Sequence, residues 1–131
     1  MKKHSIQFLK LVEQAKSRIT ETTVAATAQK LQLGDAFHLI DVREKSEWDE
    51  GHIPNAVHLS KGILERDIEK QIPNLNDEII LYCGGGFRSA IAAENLNRMG
   101  YTAVRSMKEG WQGWKNAKLP IERNIELTLS Q

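Results

Sequence analysis

The single cysteine of the chain is the residue best suited to covalent chemistry. Directly after Cys83 come Gly84, Gly85, Gly86, Phe87 and Arg88. Three consecutive glycines cost conformational entropy, so they fit a place where the backbone turns sharply or exposes its N–H groups. Such a loop, leading into a helix N-terminus, directs several N–H donors and the positive end of the helix dipole at one point. With Arg88 as a nearby cation, this environment favours the thiolate, which is the nucleophilic form of cysteine.

Three other interpretations of Cys83 compete with a nucleophile. A buried cysteine at a strand end is often a small apolar filler, but a filler needs no glycine loop with a cation at its far end. A phosphate-binding loop requires Lys-Ser or Lys-Thr after its glycines, and neither occurs here. A cysteine–histidine hydrolase could recruit His38, His52 or His58, although none has a supporting sequence context. No cluster has metal-ligand spacing, so the sequence predicts neither a metal nor another cofactor.

Composition and charge argue against several further classes of protein. The 131 residues include 18 Lys and Arg against 17 Asp and Glu, which gives a formal net charge of +1. This length predicts one domain, and the balanced charge gives no electrostatic reason for a nucleic-acid partner. No apolar run approaches the length that crosses a bilayer, so no membrane association is expected. One cysteine excludes a disulfide framework, and we expect a soluble protein of the reducing cytoplasm.

Hydrophobic periodicity predicts helices and strands that alternate along the chain. An amphipathic helix opens the chain at 5–18, and a second helix starts from a threonine cap, Thr22 or Thr23. A strand buried on both faces follows at 36–42, and then comes a helical turn capped by Ser46. The later predicted elements are a strand at 56–59, a helix marked by Ile63 and Ile72, a strand at 78–83, a helix from Arg88 to Met99, and a strand at 102–106.

This alternation positions Cys83 at a particular edge of the fold. Strands joined through helices form parallel sheets covered on both sides, so we predict a three-layer α/β domain. In open parallel sheets, ligands gather beyond the carboxyl ends of the strands. Cys83 ends the most apolar strand of the sequence, and its position therefore favours a functional role.

Four motifs resemble those of the rhodanese homology domain and occur in the order of that family. They are Leu39-Ile40-Asp41-Val42-Arg43; Glu47-Trp48 with Gly51-His52-Ile53-Pro54-Asn55-Ala56; Tyr82-Cys83 through Arg88-Ser89; and Gly110 with Trp114 before Leu119-Pro120. The resemblance implies a parallel five-stranded sheet flanked by helices over residues 19–122. It leaves a helical extension at 1–18 and a C-terminal tail at 123–131.

The resemblance also implies an activity. In active rhodaneses, the cysteine takes a sulfane sulfur from a donor, becomes a persulfide and passes the sulfur to a nucleophilic acceptor. Cys83 then corresponds to the nucleophile, and the backbone N–H groups of residues 84–88 bind the transferred sulfur. Arg88 would stabilise the thiolate and hold an anionic donor. Phe87 either forms a pocket wall or turns into the core.

The implied substrates are small molecules, with a protein persulfide as a further candidate partner. The donor would be thiosulfate or a persulfide, and the acceptor would be a thiol or cyanide. Relatives that prefer thiosulfate often carry extra basic residues in the loop, whereas Arg88 is the only charge here. We therefore expect thiosulfate to be a poor donor.

Loop length separates sulfur transfer from phosphatase chemistry. Four residues lie between Cys83 and Arg88, whereas protein tyrosine phosphatases have five between the equivalent residues. The shorter loop suits a single sulfur atom better than a tetrahedral phosphate. A catalytically idle module that binds a partner is the alternative function of a different class.

Two further expectations concern residues around the loop. Asp41 and Arg43 should support the site structurally, by hydrogen bonds to loop backbone and by pairing with a carboxylate such as Glu47. The helix at 5–18 lies outside the resemblance. Its apolar stripe could pack on the domain, on a second copy or on another protein, and the sequence leaves these open.

Overall fold

The computed structural model of the chain describes residues 3–123 and has the predicted α/β architecture. The helices are α1 (Ile6–Lys16), α2 (Val24–Leu33), α3 (Lys45–Glu50), α4 (Lys61–Gln71), α5 (Phe87–Arg98) and α6 (Gly110–Asn116). The strands are β1 (Thr20–Thr22), β2 (His38–Asp41), β3 (Val57–His58), β4 (Ile79–Tyr82) and β5 (Val104–Met107). All pair in parallel in the order β1-β5-β4-β2-β3. The fold class is confirmed.

The central strand β4 shows why the sheet lies between two layers. Its four residues are fully buried, as expected for a parallel strand covered on both faces. Ile79 and Leu81 face the core formed with α4 and α5, whereas Ile80 and Tyr82 join the second core, which includes Trp114. Successive strand residues point to opposite faces, so this one strand anchors both cores.

The helix α1 packs on the domain. Val12 and Ala15 are buried in one cluster with Ala90 and Ile91 of α5. This contact accounts for the amphipathic pattern at 5–18, although the helix ends at Lys16. Within the described residues, no helix combines the length and apolar character needed to cross a membrane.

Two local expectations are corrected by the structure, and a third concerns residues beyond those described. The strand β1 is absent from the sequence prediction, because Thr20–Thr22 is a short, largely exposed edge strand without an alternating apolar pattern. Ser46 does not cap α3. Instead, Glu44 is the N-cap, and its side chain and that of Glu47 form a reciprocal capping box. The predicted tail at 123–131 lies outside the described residues, apart from Arg123.

Truncating a core leucine tests this packing. Leu64 of α4 is fully buried, so Leu64→Ala should lower the free energy of unfolding by about 2–5 kcal/mol. Leu33→Ala is the matched control, since the same atoms are removed from a side chain that is 68% exposed. Urea unfolding of both variants measures the difference. Equal losses would contradict the assignment of Leu64 to the core.

Candidate active site

The sulfur of Cys83 is held by backbone amides at the carboxyl edge of the sheet. Cys83 directly follows β4 and is 1% exposed. The N–H groups of Gly86 and Ser89 lie 3.2 and 3.4 Å from Sγ and donate to it. The thiol in turn can donate to Ser89 Oγ at 3.5 Å. The predicted loop therefore does bring N–H donors to the sulfur.

Ser89 is a site residue to which sequence reasoning assigned no role. Its hydroxyl lies 2.7 Å from the hydroxyl of Ser106 on β5, and both residues are fully buried. Only the motif resemblance included Ser89, as the residue after Arg88. Periodicity places Ser89 on a helix but cannot show that its amide and hydroxyl face Cys83. The pairing with Ser106 depends on the adjacency of β4 and β5.

Gly86 is the loop position at which the backbone conformation and the available space admit only glycine. Its φ is +91°, and a Cβ there would overlap the carbonyl of Lys108. Gly86 is also the N-cap of α5, so the helix begins one residue before Arg88 and directs its positive end toward the sulfur. Gly84 lies close to the Arg88 guanidinium, whereas a Cβ on Gly85 would meet open space.

The N-terminus of α6 holds the other side of the loop. The N–H groups of Trp111 and Gln112 donate to the carbonyls of Cys83 and Gly84 at 2.7 and 3.0 Å. Gly110 permits this approach, since its φ is +61° and a Cβ would lie 2.6 Å from both carbonyl oxygens. The loop carbonyls are thereby satisfied away from the sulfur.

Arg88 is paired with a carboxylate, and this pairing corrects a sequence expectation. Its guanidinium donates to both oxygens of Glu47, at 2.8 and 3.1 Å. The sequence pairs Glu47 with Arg43, which instead donates to both Asp41 oxygens and to the carbonyl of Gly51. Because Arg43 lies only two residues after Asp41, these two side chains pair with each other. Glu47 pairs with Arg88 instead.

The Arg88–Glu47 pair is fully charged under ordinary conditions. Hydrogen bonds from Arg88 lower the pKa of Glu47 to about 2. The same hydrogen bonds raise the pKa of Arg88 above its ordinary value. The positive charge next to Cys83 is therefore balanced by a carboxylate.

Asp41 and Arg43 form an ion pair near the loop, and the described contacts of the pair do not include the sulfur. Both side chains are buried, and their bidentate pairing satisfies two charges that burial would otherwise penalise. The Arg43 guanidinium lies 4.6 Å from the ring of Trp111, a neighbour of the loop. The pair thus links β2, the turn at Gly51 and the start of α6.

A cleft of about 840 Å³ opens above the cysteine. Its lining comprises His4, Phe8, Glu47, Cys83, Gly84, Gly85, Phe87, Arg88, Trp111 and Gln112. Phe87 lines this cleft and also packs, partly buried, against the α1–α5 cluster. His4 and Phe8 are absent from the predicted site, because the sequence does not show where α1 docks.

The three histidines considered for a hydrolase are engaged elsewhere. The side chain of His38 pairs with Asp77 at 3.0 Å. That of His58 lies 2.7 Å from the Arg43 carbonyl, and that of His52 lies 3.3 Å from the Ile53 carbonyl. None of the three lines the cleft above the cysteine.

Comparison with known proteins now assigns the family. The family model described as "Rhodanese-like domain" matches residues 23–117 of the sequence. The chain belongs to the rhodanese-like domain family. This rhodanese-like chain is 34% identical over 98 residues to the Bacillus subtilis protein named "Putative sulfur carrier protein YrkF", covering 75% of the chain and 52% of that protein. The chain thus spans about half the length of that relative.

A second relative is similar in size. The thiosulfate sulfurtransferase GlpE of Vibrio cholerae is 30% identical over 95 residues, which cover 72% of the chain and 88% of that protein. The family assignment therefore rests on sequence as well as on the fold.

Two solved structures with this fold carry names that suggest different activities. The polysulfide-sulfur transferase homodimer of Wolinella succinogenes gives a TM-score of 0.76 at 25% identity, covering 90% of the chain and 88% of that protein. A Rhodopseudomonas palustris protein of unknown function, described as a possible tyrosine phosphatase, gives 0.79 at 28% identity. That match covers 93% of the chain and 99% of the other protein.

Two glycines of the loop provide a matched test of its geometry. Gly86→Ala should lower the free energy of unfolding by at least about 2 kcal/mol, because it combines left-handed strain with overlap at Lys108. Gly85→Ala, which meets open space, should stay within about 0.5 kcal/mol of the native chain. Urea unfolding compares them. A tolerated Gly86→Ala would show that the loop adopts another conformation.

Acid unfolding tests the Arg88–Glu47 pair. The pKa of Glu47 is depressed when folded, so its stabilisation is complete above about pH 4.5 and declines as the pH falls toward 2. Glu47→Gln should cost about 1 kcal/mol at neutral pH, as expected for a partly exposed ion pair. That cost should shrink between pH 4.5 and 2. Asp49→Asn on the same helix removes an exposed pair with Lys45 and is the control. A cost for Glu47→Gln that does not change with pH would contradict the pairing.

Proposed function

We propose that this rhodanese-like chain is a sulfurtransferase that carries a sulfane sulfur on Cys83 as a persulfide. One observation supports this most strongly: the only cysteine is buried at a strand end, and two amide N–H groups donate to its sulfur. Such preorganised donors stabilise negative charge on sulfur without the reorganisation that water would require. A single cysteine is sufficient for this route.

The reaction proceeds in two displacement steps on sulfur. The Cys83 thiolate attacks the sulfane sulfur of the donor, the donor S–S bond breaks, and its remainder leaves as an anion, sulfite in the case of thiosulfate. The acceptor, cyanide or a thiolate, then attacks the outer sulfur of the persulfide. The Cys83–sulfur bond breaks, and Cys83 leaves as the thiolate. No external oxidant or reductant is consumed.

Loop residues have separate roles in this proposal. The amides of Gly86 and Ser89 stabilise the thiolate, and the short loop surrounds the outer sulfur. The Ser89 hydroxyl, fixed by Ser106, can donate to the sulfur once its proton has left. Arg88 orients the donor while Glu47 fixes the guanidinium. Because Glu47 balances the charge of Arg88, a persulfide donor should be preferred to the thiosulfate dianion.

The proposed partners are small sulfur donors and thiol or cyanide acceptors, with a protein persulfide as a further candidate. Neither nucleic acid nor membrane enters the proposal. The proposed location is the reducing cytoplasm, where a free thiol persists. Phosphatase activity, which the description of the Rhodopseudomonas palustris protein suggests, is disfavoured by the four-residue spacing between Cys83 and Arg88.

Intact-mass analysis tests the proposal. Incubation with thiosulfate, or separately with glutathione persulfide, should add the mass of one sulfur atom, and cyanide should remove it. Cys83→Ser should acquire nothing. Asp49→Asn, a substitution away from the cleft, should load like the native chain.

The alternative outcomes have distinct meanings. If no donor adds sulfur to the folded protein, the chain is a binding module rather than a sulfurtransferase. If it hydrolyses p-nitrophenyl phosphate in a Cys83-dependent manner and takes up no sulfur, the loop acts on phosphate instead.

A further inference from the structure

The cleft above Cys83 has an aromatic wall that the matched domain does not supply alone. We define this wall by His4, Phe8 and Phe87, all of which line the cleft. Their ring centroids lie 5.4 Å apart for His4–Phe8, 5.0 Å for His4–Phe87 and 6.3 Å for Phe8–Phe87. Two of the three rings precede residue 23, where the family match begins. The extension therefore shapes the site.

The wall is held in place by packing and charge. Val12 and Ala15 fix α1 against α5. After the helix, the Arg18 guanidinium donates to Glu94 of α5 at 2.9 Å. The Lys16 ammonium lies 5.3 Å from the centroid of the Phe87 ring, within the range of cation–π attraction. Phe8 is consequently fixed beside Phe87.

The size of the cleft exceeds the needs of a compact inorganic substrate. Its volume of about 840 Å³ lies within the range of roughly 300–1,000 Å³ typical of sites for organic ligands. Sites of that kind combine apolar and aromatic walls with a few placed polar groups. Here the wall occupies one side, while Glu47, Arg88 and Gln112 are the polar residues of the lining.

The charge of the cleft also favours an organic ligand over a small inorganic anion. The carboxylate of Glu47 balances the guanidinium of Arg88, both of which line the cleft. The loop glycines add no charge. A small anion therefore meets little net attraction, whereas an apolar group gains by leaving water against the aromatic rings.

We propose that the wall of His4, Phe8 and Phe87 binds the carbon skeleton of an organic thiol acceptor with an apolar group next to its sulfur. This inference rests on the proposed function and specifies its acceptor. The acceptor thiolate attacks the outer sulfur of the Cys83 persulfide, and the bond between the two sulfurs of the persulfide breaks. Cys83 leaves as the thiolate, and the acceptor leaves as an organic persulfide. The extension thus determines acceptor specificity.

Single-turnover discharge of the loaded protein tests this assignment. Protein carrying one sulfur on Cys83 is mixed with phenylmethanethiol or with 2-mercaptoethanol, and the loss of sulfur is followed by quenched-flow mass analysis. For each variant, the measured quantity is the ratio of the two second-order rate constants. Using this ratio cancels changes that affect both thiols equally.

The variants truncate the two wall residues that precede the matched domain. Phe8→Ala should lower the ratio about five- to tenfold, the size expected for one aromatic contact. Phe8→Leu, which keeps apolar bulk against α5, and His4→Ala, at an exposed position, should each lower it about two- to threefold. Leu11→Ala is the control on the same helix, because Leu11 is 48% exposed and does not line the cleft. Its ratio should equal that of the native chain.

The outcomes separate the two proposals. If the native chain never loads sulfur, the proposed function fails and the acceptor assignment falls with it. If it loads sulfur and all three wall variants keep the native ratio, only the acceptor assignment is overturned. A ratio that falls in Leu11→Ala as much as in Phe8→Ala would also overturn it, because the effect would then come from α1 as a whole.

Discussion

The site depends on two amide N–H groups that converge on one sulfur atom. Gly86 and Ser89 donate to Cys83 Sγ, and these bonds form only because the loop turns directly into α5. Trp111 and Gln112 of α6 bind the carbonyls of Cys83 and Gly84, and these bonds fix the two peptide units that precede the Gly85–Gly86 unit. The left-handed Gly86, the close approach of Gly110 and the adjacency of β4 and β5 all serve this arrangement.

Charged side chains contribute less to the electrostatic potential at the sulfur than the amide dipoles do. The chain as a whole has a net charge of +1, and Arg88, the cation of the loop, is matched by Glu47. Uncompensated positive potential at the sulfur therefore comes chiefly from the amides and the start of α5. This distribution suits the anionic sulfur of the proposed reaction. Together with the aromatic wall, it supports the proposal that the exchanged sulfur is attached to carbon.

The sequence predicted that Cys83 follows the central strand, but it did not predict the contacts around that residue. The apolar run of β4 and the glycines after it are local signals, so the position of Cys83 at the edge of a parallel sheet was predictable. Ser89 and Ser106 meet through strand order, which periodicity alone does not specify. The sequence pairs Glu47 with the wrong arginine because the nearest candidate, Arg43, folds back onto Asp41. The contribution of α1 to the cleft depends on docking between surfaces distant in sequence.

A crystal structure of the persulfide form would show whether the loop amides bind the transferred sulfur. We expect a second sulfur bonded to Cys83 Sγ and held within the loop, with at least two backbone N–H groups of residues 84–89 within about 3.5 Å of it. Glu47 should remain paired with Arg88. A second sulfur that points away from the loop and contacts none of its amides would show that the loop does not bind the transferred sulfur.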